Sequence, residues 1–107
     1  MLSMQIDVWE LKKLLDAGSE ITLLDVREPA ELEMAKLKNC VNIPLRVLEF
    51  ELDLLPRDQR IVTICHHGVR SLTACGILNM NGIYNVQSLE GGLDRWAKTI
   101  DSNMATY

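Results

Sequence analysis

The sequence predicts an α/β fold, a parallel sheet covered by helices on both faces. Short apolar or β-branched runs alternate with stretches of helical spacing along the whole chain. That pattern gives parallel strands joined by right-handed crossovers. Two of the runs, at 21–26 (I-T-L-L-D-V) and 61–64 (I-V-T-I), lack polar alternation, as strands buried on both faces do. Chemistry-bearing residues gather where these runs stop: Asp25 and Arg27 at the first, Cys65 at the second. In a parallel sheet those stops share one edge, the carboxyl edge at which ligands of open α/β sheets sit.

Bulk properties narrow the class. A chain of 107 residues suits one domain and can bury a core without staples. Its apolar share of 48% and charged share of 24% are ordinary for a globular protein. The net charge of −4 argues against a nucleic-acid partner. It also offers an anionic substrate no long-range attraction, so any anion has to be captured locally. Three cysteines, Cys40, Cys65 and Cys75, form no disulfide framework and fit a reducing compartment. The opening M-L-S-M-Q-I-D has no secretory pattern, and no apolar run is long enough to span a membrane. A soluble cytoplasmic protein with no membrane partner is expected.

In chain order, residues 4–6 suit a short edge strand. Asp7, with Glu10 three residues on, is a helix N-cap. Val8, Leu11, Leu14 and Leu15 give helical spacing, and Gly18 closes that helix. The strand at 21–26 follows. Pro29 suits the first turn of a short helix at 30–35, and 41–43 is a third strand ended by Pro44. Residues 45–55 carry both periods: Leu48, Phe50, Leu52 and Leu54 alternate, while Leu45, Leu48, Leu52 and Leu55 fit a helix. Helix is preferred, because a parallel strand needs a crossover before it. The strand at 61–64 and a helix at 71–80 come next, ended by Asn81-Gly82. A final strand at 85–89, a flexible Gly91-Gly92 turn and a helix marked by Leu93, Trp96 and Ala97 complete the pattern. One domain over 1–107 is expected, with 101–107 (D-S-N-M-A-T-Y) a loose tail.

The stretch R-I-V-T-I-C-H-H-G-V-R-S at 60–71 is the sharpest feature. It puts a thiol between the end of a buried strand and the start of a helix. The first amides of a helix lack intrahelical partners and carry the positive end of its dipole. A turn whose N–H groups converge makes an anion nest, which favours thiolate over thiol. Arg70 adds a fixed positive charge and His66 and His67 a titratable one, while Gly68 permits a tight turn. Free cysteine is also common as a small core residue. An inert core position, though, has no need of such a turn.

These residues resemble a single-domain rhodanese, a sulfurtransferase. The resemblance rests on L-L-D-V-R-E at 23–28, V-N-I-P-L at 41–45, C-H-H-G-V-R-S at 65–71 and L-E-G-G-L-D-R-W at 89–96, in that order. It implies a three-layer fold around a five-stranded parallel sheet. It also implies that Cys65 takes a sulfane sulfur from thiosulfate or a similar small anionic donor, holds it as a persulfide and yields it to cyanide or a thiol. The acceptor could be a thioredoxin-like protein or a low-molecular-weight thiol. The amides of His66, His67, Gly68, Val69, Arg70 and Ser71 would cradle the sulfur, with Asp25 and Arg27 in support. The alternative is a non-enzymatic persulfide carrier or docking module. The loop C-x-x-G-x-R spans six residues, one fewer than the C-x5-R loop of the related dual-specificity phosphatases, which favours sulfur over phosphate. Where the family shows G-H-I-x-G-A, this chain has A-K-L-K-N-C at 35–40.

No cofactor and no metal are expected. Cys65, His66 and His67 are adjacent and cannot readily close a tetrahedron, and no C-x2-C partner exists. Cys40 and Cys75 read as packing residues.

Overall fold

The computed structural model describes residues 3–107, so residues 1 and 2 of the expected domain lie outside it. Five strands form one parallel sheet in the order β1-β5-β4-β2-β3. They are β1 (Gln5–Ile6), β2 (Ile21–Asp25), β3 (Val41–Asn42), β4 (Arg60–Ile64) and β5 (Val86–Leu89). Four α-helices cover it: α1 (Val8–Asp16), α2 (Pro29–Leu32), α3 (Val69–Met80) and α4 (Gly92–Thr99). The α/β class and the parallel five-stranded sheet agree with the sequence.

Alternate side chains of the central strands feed two cores. On one face Leu24 and Ile61 pack with Ala74, Cys75 and Leu78 of α3, together with Leu48 and Leu55. On the other, Leu23 and Val62 pack with Val8 and Leu11 of α1 and Leu93 and Trp96 of α4. Buried on both sides, β2 and β4 read as continuous apolar runs, as strands inside parallel sheets must. Asp7 caps α1 by accepting from the Glu10 amide at 2.8 Å.

Three local expectations need correction. Residues 45–55 form no α-helix but two 3₁₀ segments, Leu45–Phe50 and Leu52–Leu54. Their amides bond three residues back, Glu51 to Leu48 and Leu54 to Glu51, each at 3.1 Å. Only Leu48 and Leu55 are deeply buried, while Phe50 and Leu54 face solvent. Two tight turns bury those anchors without a regular period, which is why the pattern was ambiguous. Helix α3 begins at Val69 rather than Ser71 because Gly68 (φ +98°) ends the turn early. The segment 101–107 is not loose at its end: Tyr107 packs against the site described below.

Asn39, at the position of a family glycine, has φ +60°. Asparagine is among the few side chains that tolerate that conformation.

In register, Asp25 of β2 lies beside Ile64 of β4, so Arg27 and the Cys65 turn leave the sheet together. Arg27 is fully buried and Asp25 nearly so. Their ion pair is multidentate: Nε reaches both carboxylate oxygens at 3.0 and 3.1 Å, and Nη2 reaches Oδ2 at 2.7 Å. Removing one partner leaves a buried charge uncompensated. Asp25→Ala should therefore cost about 3–5 kcal/mol of folding stability, read as a lowered denaturant midpoint.

Candidate active site

The site starts from the end of β4. Ile64 is the last strand residue, and Cys65 sits at the head of the turn with 1% of its surface exposed. Its Sγ accepts from the Gly68 amide at 3.0 Å and the Ser71 amide at 3.3 Å. Behind the sulfur, the Ser71 hydroxyl lies 3.4 Å away and 2.6 Å from the hydroxyl of Ser88 on β5. Both serines are buried. Two amides at the start of α3 and a buried hydroxyl pair thus surround one sulfur atom.

The carbonyls of the turn point elsewhere. Those of Cys65 and His66 accept from the Leu93 and Asp94 amides at the start of α4, at 2.9 and 3.0 Å. That contact explains Gly91-Gly92 better than flexibility does. A Cβ on Gly92 would stand 2.5 Å from both carbonyl oxygens, and Gly92 has φ +59°. Gly68 is similarly confined, 3.1 Å from the Gly91 nitrogen by the same measure.

The side chains the sequence singled out take distinct places. Gly68 and Ser71 contact the sulfur. Val69 and His67 face solvent. His66 does not bond the thiol; its ring stacks on Tyr107 with centroids 3.9 Å apart and planes 5° from parallel. Burial lowers the His66 imidazole below its ordinary value, and His67 beside it acts in the same direction. Both effects favour the uncharged ring. Arg70 forks onto Glu31, Nη1 to Oε2 at 2.7 Å and Nη2 to Oε1 at 2.8 Å. Asp25 and Arg27 lie beneath, linked to the site through Tyr107, whose hydroxyl accepts from Arg27 Nη1 at 2.7 Å and donates to Glu31 Oε1 at 3.1 Å.

Sequence reasoning missed Glu31, Ser88 and Tyr107. Glu31 had one available signal, its place two residues after the proline of a first helical turn, where carboxylates cap amides. The Glu28 amide donates to its Oε2 at 2.9 Å. Cys40 and Cys75 stay apart from the site, and burial pushes both thiols up. His66, His67 and Asp94 each bring one potential metal-ligand atom within 4.8 Å of the others. Asp94 is already paired with Lys98 at 2.9 Å, and Cys65 is outside this group. No described helix is long and apolar enough to cross a membrane.

Fold and site together define a class: a parallel α/β domain whose loop thiol sits in an amide nest at the carboxyl edge of its sheet. The family description "Rhodanese-like domain" matches residues 7–99, and the chain belongs to that family of sulfurtransferases. A "Sulfurtransferase" of Allochromatium vinosum is 30% identical over 94 residues, covering 88% of each chain. The crystal structure of a rhodanese-related protein from Thermoplasma volcanium superposes with a TM-score of 0.81 at 35% identity, over 90% of this chain and 92% of that one. A NAD-dependent persulfide reductase from A. fulgidus matches at 38% identity and a TM-score of 0.66, over 83% of this chain and 15% of that one. The chain spans about a quarter of the length of other curated relatives it matches.

Glu31 supplies a pH test of the network. The Arg70 fork holds its carboxyl down at about 2, with the Glu28 amide and the Tyr107 hydroxyl helping against burial. A depressed carboxyl stabilises the fold above its unfolded value of about 4.5 and loses that contribution as pH falls toward about 2. Stability of the native chain should therefore fall more steeply between those limits than that of Glu31→Gln. Denaturant titrations across that pH range measure the difference.

Proposed function

We propose that this protein is a sulfurtransferase carrying sulfane sulfur as a persulfide on Cys65. The observation that carries the reading is the Cys65 sulfur held between the Gly68 and Ser71 amides, at 3.0 and 3.3 Å. Those N–H groups stabilise negative charge on sulfur without a counter-ion. The Cys65 thiolate attacks the outer sulfur of a donor, and the sulfur–sulfur bond of the donor breaks with its electron pair. With thiosulfate the leaving group is sulfite. The amides then hold the charged persulfide until cyanide or a thiol attacks the outer sulfur and restores the thiolate.

His67, Val69 and Arg70 contribute backbone to the turn. Arg27 and Asp25 support the edge from which the turn departs. The acceptor we infer is a low-molecular-weight thiol or a thioredoxin-like protein, in a reducing, cytoplasmic setting suited to three free cysteines. The persulfide reductase among the structural neighbours supports persulfide chemistry on this fold.

Incubation with thiosulfate and cyanide should produce thiocyanate, and Cys65→Ser should produce none. Intact-mass spectrometry should show a gain of one sulfur atom on the native chain and none on the variant. Equal turnover by the variant refutes the mechanism. Mass gain without turnover identifies a carrier instead of an enzyme.

A further inference from the structure

The thiol turn and the first turn of α4 bring three metal-ligating side chains together. One ligand atom from each of His66, His67 and Asp94 lies within 4.8 Å of the other two. These are the chain's two histidines, and neither ring is a hydrogen-bond partner of the Cys65 sulfur. The adjacency that argues against a Cys65–His66–His67 set does not apply here, because the third donor arrives from another helix.

The segments carrying these donors are pinned to each other before any metal arrives. The Asp94 amide donates to the His66 carbonyl at 3.0 Å, and the Leu93 amide to that of Cys65 at 2.9 Å. The His66 ring is held by stacking on Tyr107 and by contact with the His67 ring, centroids 3.8 Å apart and planes tilted by 33°. His66 Nε2 is buried and has no hydrogen-bond partner among the described residues. Buried polar atoms without partners are few in native proteins, and an ion is one of the groups that account for them. Lys98 engages one oxygen of Asp94, Oδ2 at 2.9 Å, and its side chain is mostly exposed. Such exposed pairs contribute little, so a dication can displace the lysine.

Two imidazoles and a carboxylate make the donor set of an open zinc site, which leaves a coordination position to water. The hard cations Mg²⁺ and Ca²⁺ take oxygen ligands instead. On a tetrahedral zinc with bonds of about 2 Å, the donors stand roughly 3.3 Å apart. The three have only to draw together, and His67 faces solvent, where its side chain can turn. Beyond sulfur transfer, we propose that His66, His67 and Asp94 bind a divalent transition metal of the zinc class. The metal would clamp the thiol turn to α4 through side chains as the Leu93 and Asp94 amides do through backbone.

The test titrates Zn²⁺ into the tag-free chain by calorimetry and follows the histidine ring signals by NMR. One Zn²⁺ per chain should bind, both histidines should shift, and an excess of Mg²⁺ should not compete. His67→Ala and Asp94→Asn alter side chains outside the core. Each should weaken binding at least about tenfold, since loss of even an outer-shell partner costs that much. Lys98→Met releases the second Asp94 oxygen and should tighten binding about twofold, the scale of an exposed i,i+4 pair. Cys65→Ser should bind Zn²⁺ as the native chain does, which separates this site from capture by the thiolate. Saturating Zn²⁺ should raise the Tm of the native chain more than that of Asp94→Asn. Binding that disappears in Cys65→Ser overturns the inference, as does binding at native strength in both His67→Ala and Asp94→Asn. Failure of the native chain to bind Zn²⁺ overturns it as well and leaves the sulfurtransferase reading untouched.

Discussion

The buried Arg27 guanidinium governs how the functional edge of this sheet is assembled. A cation out of water is tolerated only when its donors are all taken. Nε and Nη2 serve Asp25, and Nη2 also serves the Ala35 carbonyl at 2.7 Å. Nη1 takes the Glu31 carbonyl at 3.2 Å and the Tyr107 hydroxyl at 2.7 Å. These partners come from the end of β2, from α2, from the connection to β3 and from the last residue of the chain. Satisfying one side chain therefore fixes four segments. It sets α2 so that the Glu31 carboxylate faces Arg70, and it draws Tyr107 over His66.

The thiol loop solves a complementary problem. A turn that aims its N–H groups inward has to dispose of its carbonyls, since buried acceptors without partners are costly. Here the Cys65 and His66 carbonyls are taken by the first amides of α4. Those amides would otherwise need a capping side chain, and Gly91, the N-cap residue, has none. One close approach thus satisfies both groups and fixes which way the peptides of the nest face. It also explains why two consecutive glycines occur there, each with positive φ.

The parts of this arrangement that were legible in the sequence are those written in local residue patterns. Apolar runs without alternation marked β2 and β4, and their polar terminators placed Asp25, Arg27 and Cys65 on one edge. The thiol turn announced itself through Gly68 and Arg70. Residues 45–55 were not resolved, because two periods fit equally well and burying only Leu48 and Leu55 requires neither. Tyr107 was illegible for a different reason. It lies 80 residues from Arg27, its partner, and no periodicity connects a lone tyrosine in a polar segment to a buried cation. Gly91-Gly92 was read for flexibility, although the same absence of side chains serves close packing. Only contact with the Cys65 and His66 carbonyls separates the two meanings.

The charge balance of the site follows from the same long-range pairing. A net charge of −4 repels anions at a distance. An ion pair at close range, by contrast, presents nearly no field beyond its own neighbourhood. At the Cys65 sulfur itself the direct contacts are peptide dipoles, the Gly68 and Ser71 amides. Such dipoles act within a few ångströms and reward an atom that fits between them more than the total charge behind it. In the sulfur-transfer reading proposed above, selectivity for sulfur is therefore a matter of fit at Gly68 and Ser71.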